Sequence, residues 1–195
     1  MRDAAASLLD LPAMLAANPR IGVLIALLVA AAVIDYRSYR IPNWLTAGGM
    51  LLGLACAALL PSPDHAGFLW AFGGLAVGFA VLLPLYVLRI LGAGDVKLMA
   101  MAGAFLGAIG TLYAILFTFT AAGVLAVALA LSHGALMRML GNVKNFVQFM
   151  TFSVMGGVRR AAPIEAEASI GRMPYGISVA TGTMAYLVAA QLGFA

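Results

Sequence analysis

Charge is what this chain has least of. Only 9% of its 195 residues are Asp, Glu, Lys or Arg, 64% are hydrophobic, and the mean hydropathy is +1.05. Ordinary soluble domains carry about 25% charged residues. A chain this poor in charge cannot clothe a water-facing surface, so its solvent is largely lipid. Cysteine is nearly absent: Cys56 stands alone in an apolar stretch, which excludes an intrachain disulfide and a Cys-based metal cluster. The two histidines, His65 and His133, lie far apart without ligand-like neighbours, so no metal and no cofactor are expected. Basic runs are missing too. A net charge of +4 and a pI near 9.6 come with a single adjacent basic pair, Arg159–Arg160, which is no nucleic-acid footprint. Lys and Arg concentrated in cytoplasmic loops make many membrane proteins basic.

What is there is apolar helix, to be divided into spans of about 20 residues each. The uncharged run Ile21 to Ile34 is too short alone. It must borrow from Leu15–Pro19 or extend through Asp35 and Tyr36, which puts Asp35 in the last turn or just beyond it. Trp44 to Leu60 is ended by the turn Pro61-Ser62-Pro63-Asp64. Phe68 to Leu88 contains Pro84, which interrupts its hydrogen bonding. Leu98 to Leu131 holds no charge at all. As one helix it would be roughly 51 Å long against a core of about 30 Å, so it reads as two helices turning near Gly107–Thr111. Pro174 to Phe194 supplies the last span. The expected fold is all-α: one integral membrane domain over residues 1–195, a polytopic bundle of about six transmembrane helices near 18–37, 43–60, 67–90, 95–109, 112–132 and 174–194.

Six spans divide the connections into two sets. One holds Arg37, Arg40, Arg89, Lys97, Arg138, Lys144, Arg159, Arg160 and Arg172; the other holds only Arg2 and Arg20. By the positive-inside rule the richer set is cytoplasmic, both termini are outside, and Asp35 and Asp95 share the cytoplasmic edge. A cleaved signal peptide over Met1–Ala32 is the competing reading. Asp3, Asp10 and Pro12 ahead of the apolar region match a basic leader poorly, and a retained first helix is favoured.

The connection 133–172 is the only stretch with much polar content. Leu140, Val143, Val147, Met150 and Val154 alternate at spacings of three and four, with Arg138, Lys144, Asn145, Gln148 and Thr151 on other faces. That pattern is an amphipathic helix suited to the cytoplasmic headgroup layer, or an extension of the fifth span packed on protein. Ala161–Ile170, with Pro163, Glu165 and Glu167, reads as a loop. Glycine pairs at Gly49 and Gly53, Gly74 and Gly78, and Gly103 and Gly107 suit close helix packing in lipid.

Chemistry narrows to the acids. Asp3, Asp10, Asp64, Glu165 and Glu167 fall in tails or loops, whereas Asp35 and Asp95 each join an apolar span on the same side. Ionisable groups at membrane depth are costly and usually functional. The bland alternative makes both merely interfacial, with Asp95 as an N-terminal helix charge. Two carboxylates converging in a low-dielectric site share a proton. The ionised one can then draw a proton from water while the protonated one polarises a peptide carbonyl, the division of labour of an aspartic peptidase. No phosphate-binding glycine loop, Ser/His/Asp set or metal cluster competes.

The context of Asp95 is Gly92-Ala93-Gly94-Asp95-Val96-Lys97, and that of Asp35 is Asp35-Tyr36-Arg37-Ser38-Tyr39-Arg40-Ile41-Pro42-Asn43. The first resembles the GxGD-x-K signature of the type IV prepilin peptidases, GxGD intramembrane aspartic proteases. The second is similar to the other half of that signature, and Pro174-Tyr175-Gly176 to a third segment of the short members. The resemblance implies that Asp35 and Asp95 are catalytic and that Gly92 and Gly94 shape the loop bearing the second acid. Lys97 would tune local electrostatics or touch substrate, or merely anchor the helix in the cytoplasm. Ile41, Pro42 and Asn43 would fix the start of the second helix, with Asn43 as its cap. Pro174, Tyr175 and Gly176 would support the site.

Larger family members carry a cytoplasmic domain with paired Cys-x-x-Cys motifs and also N-methylate the processed pilin. This chain lacks those cysteines and is similar to the short CpaA/TadV-like type, which implies peptidase activity without methyl transfer. The implied partners are the lipid bilayer and a Flp-family prepilin or pseudopilin, cut behind its basic leader at the cytoplasmic face of the bacterial inner membrane. Other readings are a transporter or pilus-assembly component binding protons or cations through the two acids, and a family member that binds pilin without cutting it. An inverted repeat would favour transport. None is visible, and the presence of both acids argues against the non-cutting form.

Overall fold

A computed structural model describes residues 19–59, 67–156 and 175–193 of the chain. The turn expected at Pro61–Asp64, the loop at Ala161–Ile170 and Pro174 lie outside them. Among the described residues all regular structure is helical: α1 (Pro19–Ser38), α2 (Asn43–Leu59), α3 (Gly67–Val87), α4 (Ala93–Ser132), α5 (Leu136–Gly156) and α6 (Tyr175–Gln191). In lipid the backbone must bond to itself, and a helix does so within one segment. Of these helices α1, α3 and α4 are long and apolar enough to cross a membrane, and α2 is a shorter apolar helix. The chain is an integral membrane protein.

The chain divides into two compact units, Met1–Ala122 with Pro174–Ala195 and Gly123–Met173. The first holds the core. Its centre is the first part of α4, where Leu98, Met99, Ala100, Met101, Ala102 and Ala104 are wholly buried. Small residues let the neighbouring helices close on it. Gly49 of α2 lies against the Met101 side chain, Gly53 against Ala104 and Phe105, and Gly182 of α6 against the backbone of Thr118. Nearest of all is α3, whose Gly74 meets the Gly103 carbonyl and Gly107, while Gly78 sits over Met99 and Ala100. Around that centre α1 packs on α6, α2 on α3 and α1 on α2.

At Gly107 the backbone leaves the helix, with φ 71° and ψ 176°, so α4 is two helices joined across a kink. Only glycine adopts that conformation readily, and a side chain there would run into the Trp70 ring. The Thr111 hydroxyl donates to the Gly107 carbonyl at 2.6 Å. The carbonyls freed at the end of the first segment find a cation: Arg20 reaches across from α1 to donate to the Ala104 carbonyl at 3.4 Å, its guanidinium 4.5 Å from the Trp70 ring centre. A positive charge at a helix C-terminus is favourable. Arg20 begins α1 and Asp35 ends it, while Asp95 begins α4 and Ala104 lies near its kink, so the two helices run antiparallel with both acids at one end.

In the second unit α4 continues to Ser132 and stops in a turn with Gly134 at φ 60°, its carbonyls at Ala130 and Leu131 taken by Ala135 and Gly134 N–H. α5 follows, with Arg138, Leu140, Val143, Lys144, Asn145 and Gln148 exposed. The side chains of Val147, Met150 and Val154 lie outside the description.

Candidate active site

Both acids sit at helix ends because the chain around them cannot stay helical. α1 runs through Asp35 and stops where Tyr39 takes φ 50°. The Ser38 hydroxyl lies 2.8 Å from the Ile34 carbonyl and 3.0 Å from that of Arg40, which ties the turn down. Pro42 then bars helix at Ile41 and restarts it. Its carbonyl accepts the first bonds of α2, from Leu45 N–H at 3.1 Å and Thr46 N–H at 3.4 Å. This differs from the expected cap. Pro42 occupies the cap position, and Asn43 is the first helical residue with its side chain turned elsewhere.

The second acid is delivered by the end of α3. Arg89 takes φ 58°, Ile90 N–H bonds the Leu85 carbonyl and Arg89 N–H that of Tyr86, a Schellman closure that needs no glycine here. Gly92 then caps α4 through its carbonyl, which accepts from Asp95 N–H at 3.2 Å and Val96 N–H at 3.4 Å. Asp95 Oδ2 reaches back to accept the Gly92 N–H at 3.1 Å. That reciprocal pair is the acidic half of a capping box, so the helix-charge reading of Asp95 has a physical basis too.

Asp35 is held differently. Only 5% of it is exposed, and its Oδ2 accepts the Gly176 N–H at 2.8 Å. Gly176 is the second residue of α6, so this amide is one of the donors a helix N-terminus leaves unpaired. The position tolerates no side chain: a Cβ on Gly176 would stand 2.8 Å from the same oxygen. Asp35, in the last turn of α1, and Asp95, in the first turn of α4, lie at the same end of these antiparallel helices. Gly176, distant in sequence, is brought against Asp35.

Other sequence-derived candidates close the frame around the acids. Gly94 lies against Ile41, where an added Cβ would be 3.3 Å from the Ile41 Cβ. Lys97 Nζ donates to Asn43 Oδ1 at 2.9 Å, joining the first turn of α4 to the start of α2. Gly176 was expected to support the site, but two contacts had no warning in the sequence. The direct amide bond from Gly176 to Asp35 depends on how α6 packs. Arg20 reads only as a lone cation before an apolar run, and its carbonyl partner and ring are placed by the fold.

A profile of the type IV leader peptidase family matches residues 22–131, more than half of the chain. The chain belongs to the type IV leader peptidase family. No curated protein and no solved structure matches it. The chain is thus a prepilin leader peptidase with an all-helical membrane fold. The matched segment runs from α1 into α4 and carries both acids. α6, whose Gly176 N–H meets Asp35, lies beyond it.

Proposed function

We propose that Asp35 and Asp95 are the catalytic pair and that this peptidase removes the basic leader of a Flp-family or similar prepilin at the cytoplasmic face of the bacterial inner membrane. The observation that supports this most is that the two acids, from antiparallel helices, lie at the same end of the bundle, each with one oxygen steadied by a main-chain N–H. Gly92, Gly94, Ile41, Pro42, Asn43 and Lys97 hold the two acid-bearing segments in register. The site needs no cofactor in this reading.

The carboxylates share a proton because two charges in a poorly solvated site are costly. A water oxygen bonds to the scissile carbonyl carbon, and one water proton passes to the ionised aspartate. The protonated aspartate gives its proton to the carbonyl oxygen. Collapse of the tetrahedral gem-diol then breaks the C–N bond: the leaving amine takes up the proton held by the first acid, and one hydroxyl returns its proton to the second, which restores the singly protonated pair. The substrate's apolar helix in the bilayer would bring its leader junction to the depth of the acids.

The purified protein in lipid vesicles, mixed with a Flp-family prepilin and a methyl donor, tests this reading by product mass. The expected product is shorter by the leader and carries no added methyl group. An intact prepilin, or a methylated product, would contradict it.

A further inference from the structure

Tyr175 opens α6, packs against the core, and has a buried hydroxyl oxygen with no hydrogen-bond partner. Leaving a buried donor unpaired is costly, and such groups in native proteins need an explanation. Among the described residues Thr118, Ser178 and Thr183 also have unpaired buried hydroxyls. Those stand in the bodies of helices, where a short side chain can rotate toward a carbonyl one turn back. A phenol hydroxyl is too far from its own backbone for that.

Its setting supplies the explanation. The next residue, Gly176, gives its N–H to Asp35 at 2.8 Å, which fixes the start of α6 against the first acid. A free donor is therefore held out of bulk water on the residue next to the amide that anchors Asp35, at the end of the bundle where Asp95 begins α4.

We propose that Tyr175 is a further catalytic residue, its hydroxyl donating a hydrogen bond to the scissile carbonyl oxygen as charge develops there. The proposal rests on the two-aspartate reading. The phenol keeps its proton throughout; the proton that the carbonyl oxygen gains comes from the protonated aspartate. The tyrosine steadies the oxygen during that transfer, and its own hydrogen bond is complete only in the reacting complex. A donor placed where charge appears, in a site that excludes water, acts mainly on the chemical step.

Tyr175→Phe removes that one oxygen. The expected result, measured on prepilin cleavage in vesicles, is a kcat lower by about 100-fold with KM changed by less than about threefold. The unfolding temperature should not fall, because the variant loses no hydrogen bond within the free protein. A peptide carrying a tetrahedral hydroxyl mimic in place of the scissile amide should lose affinity in parallel with kcat. A kcat within about threefold of the parent overturns the proposal. So does a lost activity accompanied by a lower unfolding temperature and unchanged binding of the mimic, which would make the hydroxyl structural. Asp35→Asn in the same assay separates the two levels. If it still cleaves, the acid pair falls, and Tyr175 with it; if it is inactive while Tyr175→Phe is fully active, only the role of the tyrosine falls.

Discussion

A methyl group at position 176 would stand 2.8 Å from Asp35 Oδ2 and 3.0 Å from its Cβ. Gly176→Ala must therefore push the acid or lift the start of α6. Overpacking of this kind costs about 1–3 kcal/mol, and a displaced acid slows the chemistry further. Cleavage should fall more than about tenfold, read in the vesicle assay, while Gly48→Ala, with nothing within 4 Å, should leave activity and stability unchanged. A fully active Gly176→Ala would mean that Asp35 does not need this amide. If the two acids work as a pair, their protons leave in steps that belong to the pair. The rate should rise with pH as the first proton leaves and fall as the second does, a bell rather than a single step. At this scale the sequence singles out Asp35 and Asp95 because charge is so scarce around them. It is silent on the Gly176 amide and the Tyr175 hydroxyl, since what those atoms meet is decided by the packing of α6 against α1, across most of the chain.

The segments that carry the acids are tied by two contacts, Gly94 against Ile41 and Lys97 with Asn43. If the second works as a tie, Lys97→Met and Asn43→Ala should each reduce kcat/KM by about fivefold, equivalent to roughly 1 kcal/mol. The double variant should be no worse than either alone. Independent, multiplying losses would instead place Lys97 on the substrate. Elements were legible where local chemistry decides them: Pro42, the Asp95 turn and the glycine at the kink all leave marks in the sequence. The start of α2 at Asn43 was legible as well, but its cap was not. Asn43 has the chemistry of a cap, but its side chain is taken by Lys97 from another helix, and the Pro42 carbonyl begins the ladder instead. The fit of Gly74 against Gly103 is similar: the spacing suggests packing, and only the fold says which helix is met.

For the molecule as a whole, composition and apolar run length were enough to read an all-helical membrane bundle, because both are properties of the chain itself. The family was equally legible from the two acid-bearing motifs. Orientation is a separate question, argued from Lys and Arg. Nine of the 11 fall on one side of the six expected spans, which by the positive-inside rule would put both termini outside. A phosphatase reporter fused to the C-terminus should be active in the periplasm, and one fused after Leu140 should not; the reverse pattern would move the acids to the outer edge.

The central claim is that Asp35 and Asp95 act together on the peptide bond. The most direct measurement replaces each by Asn, which keeps the size and removes the acid, and follows the mass of a co-expressed Flp-family prepilin. The account predicts a shortened pilin with the parent protein and an intact prepilin with either Asp35→Asn or Asp95→Asn, each inserted in the membrane at the parent level. Shortening that survives both substitutions would contradict it and leave the two acids as structural or ion-binding groups.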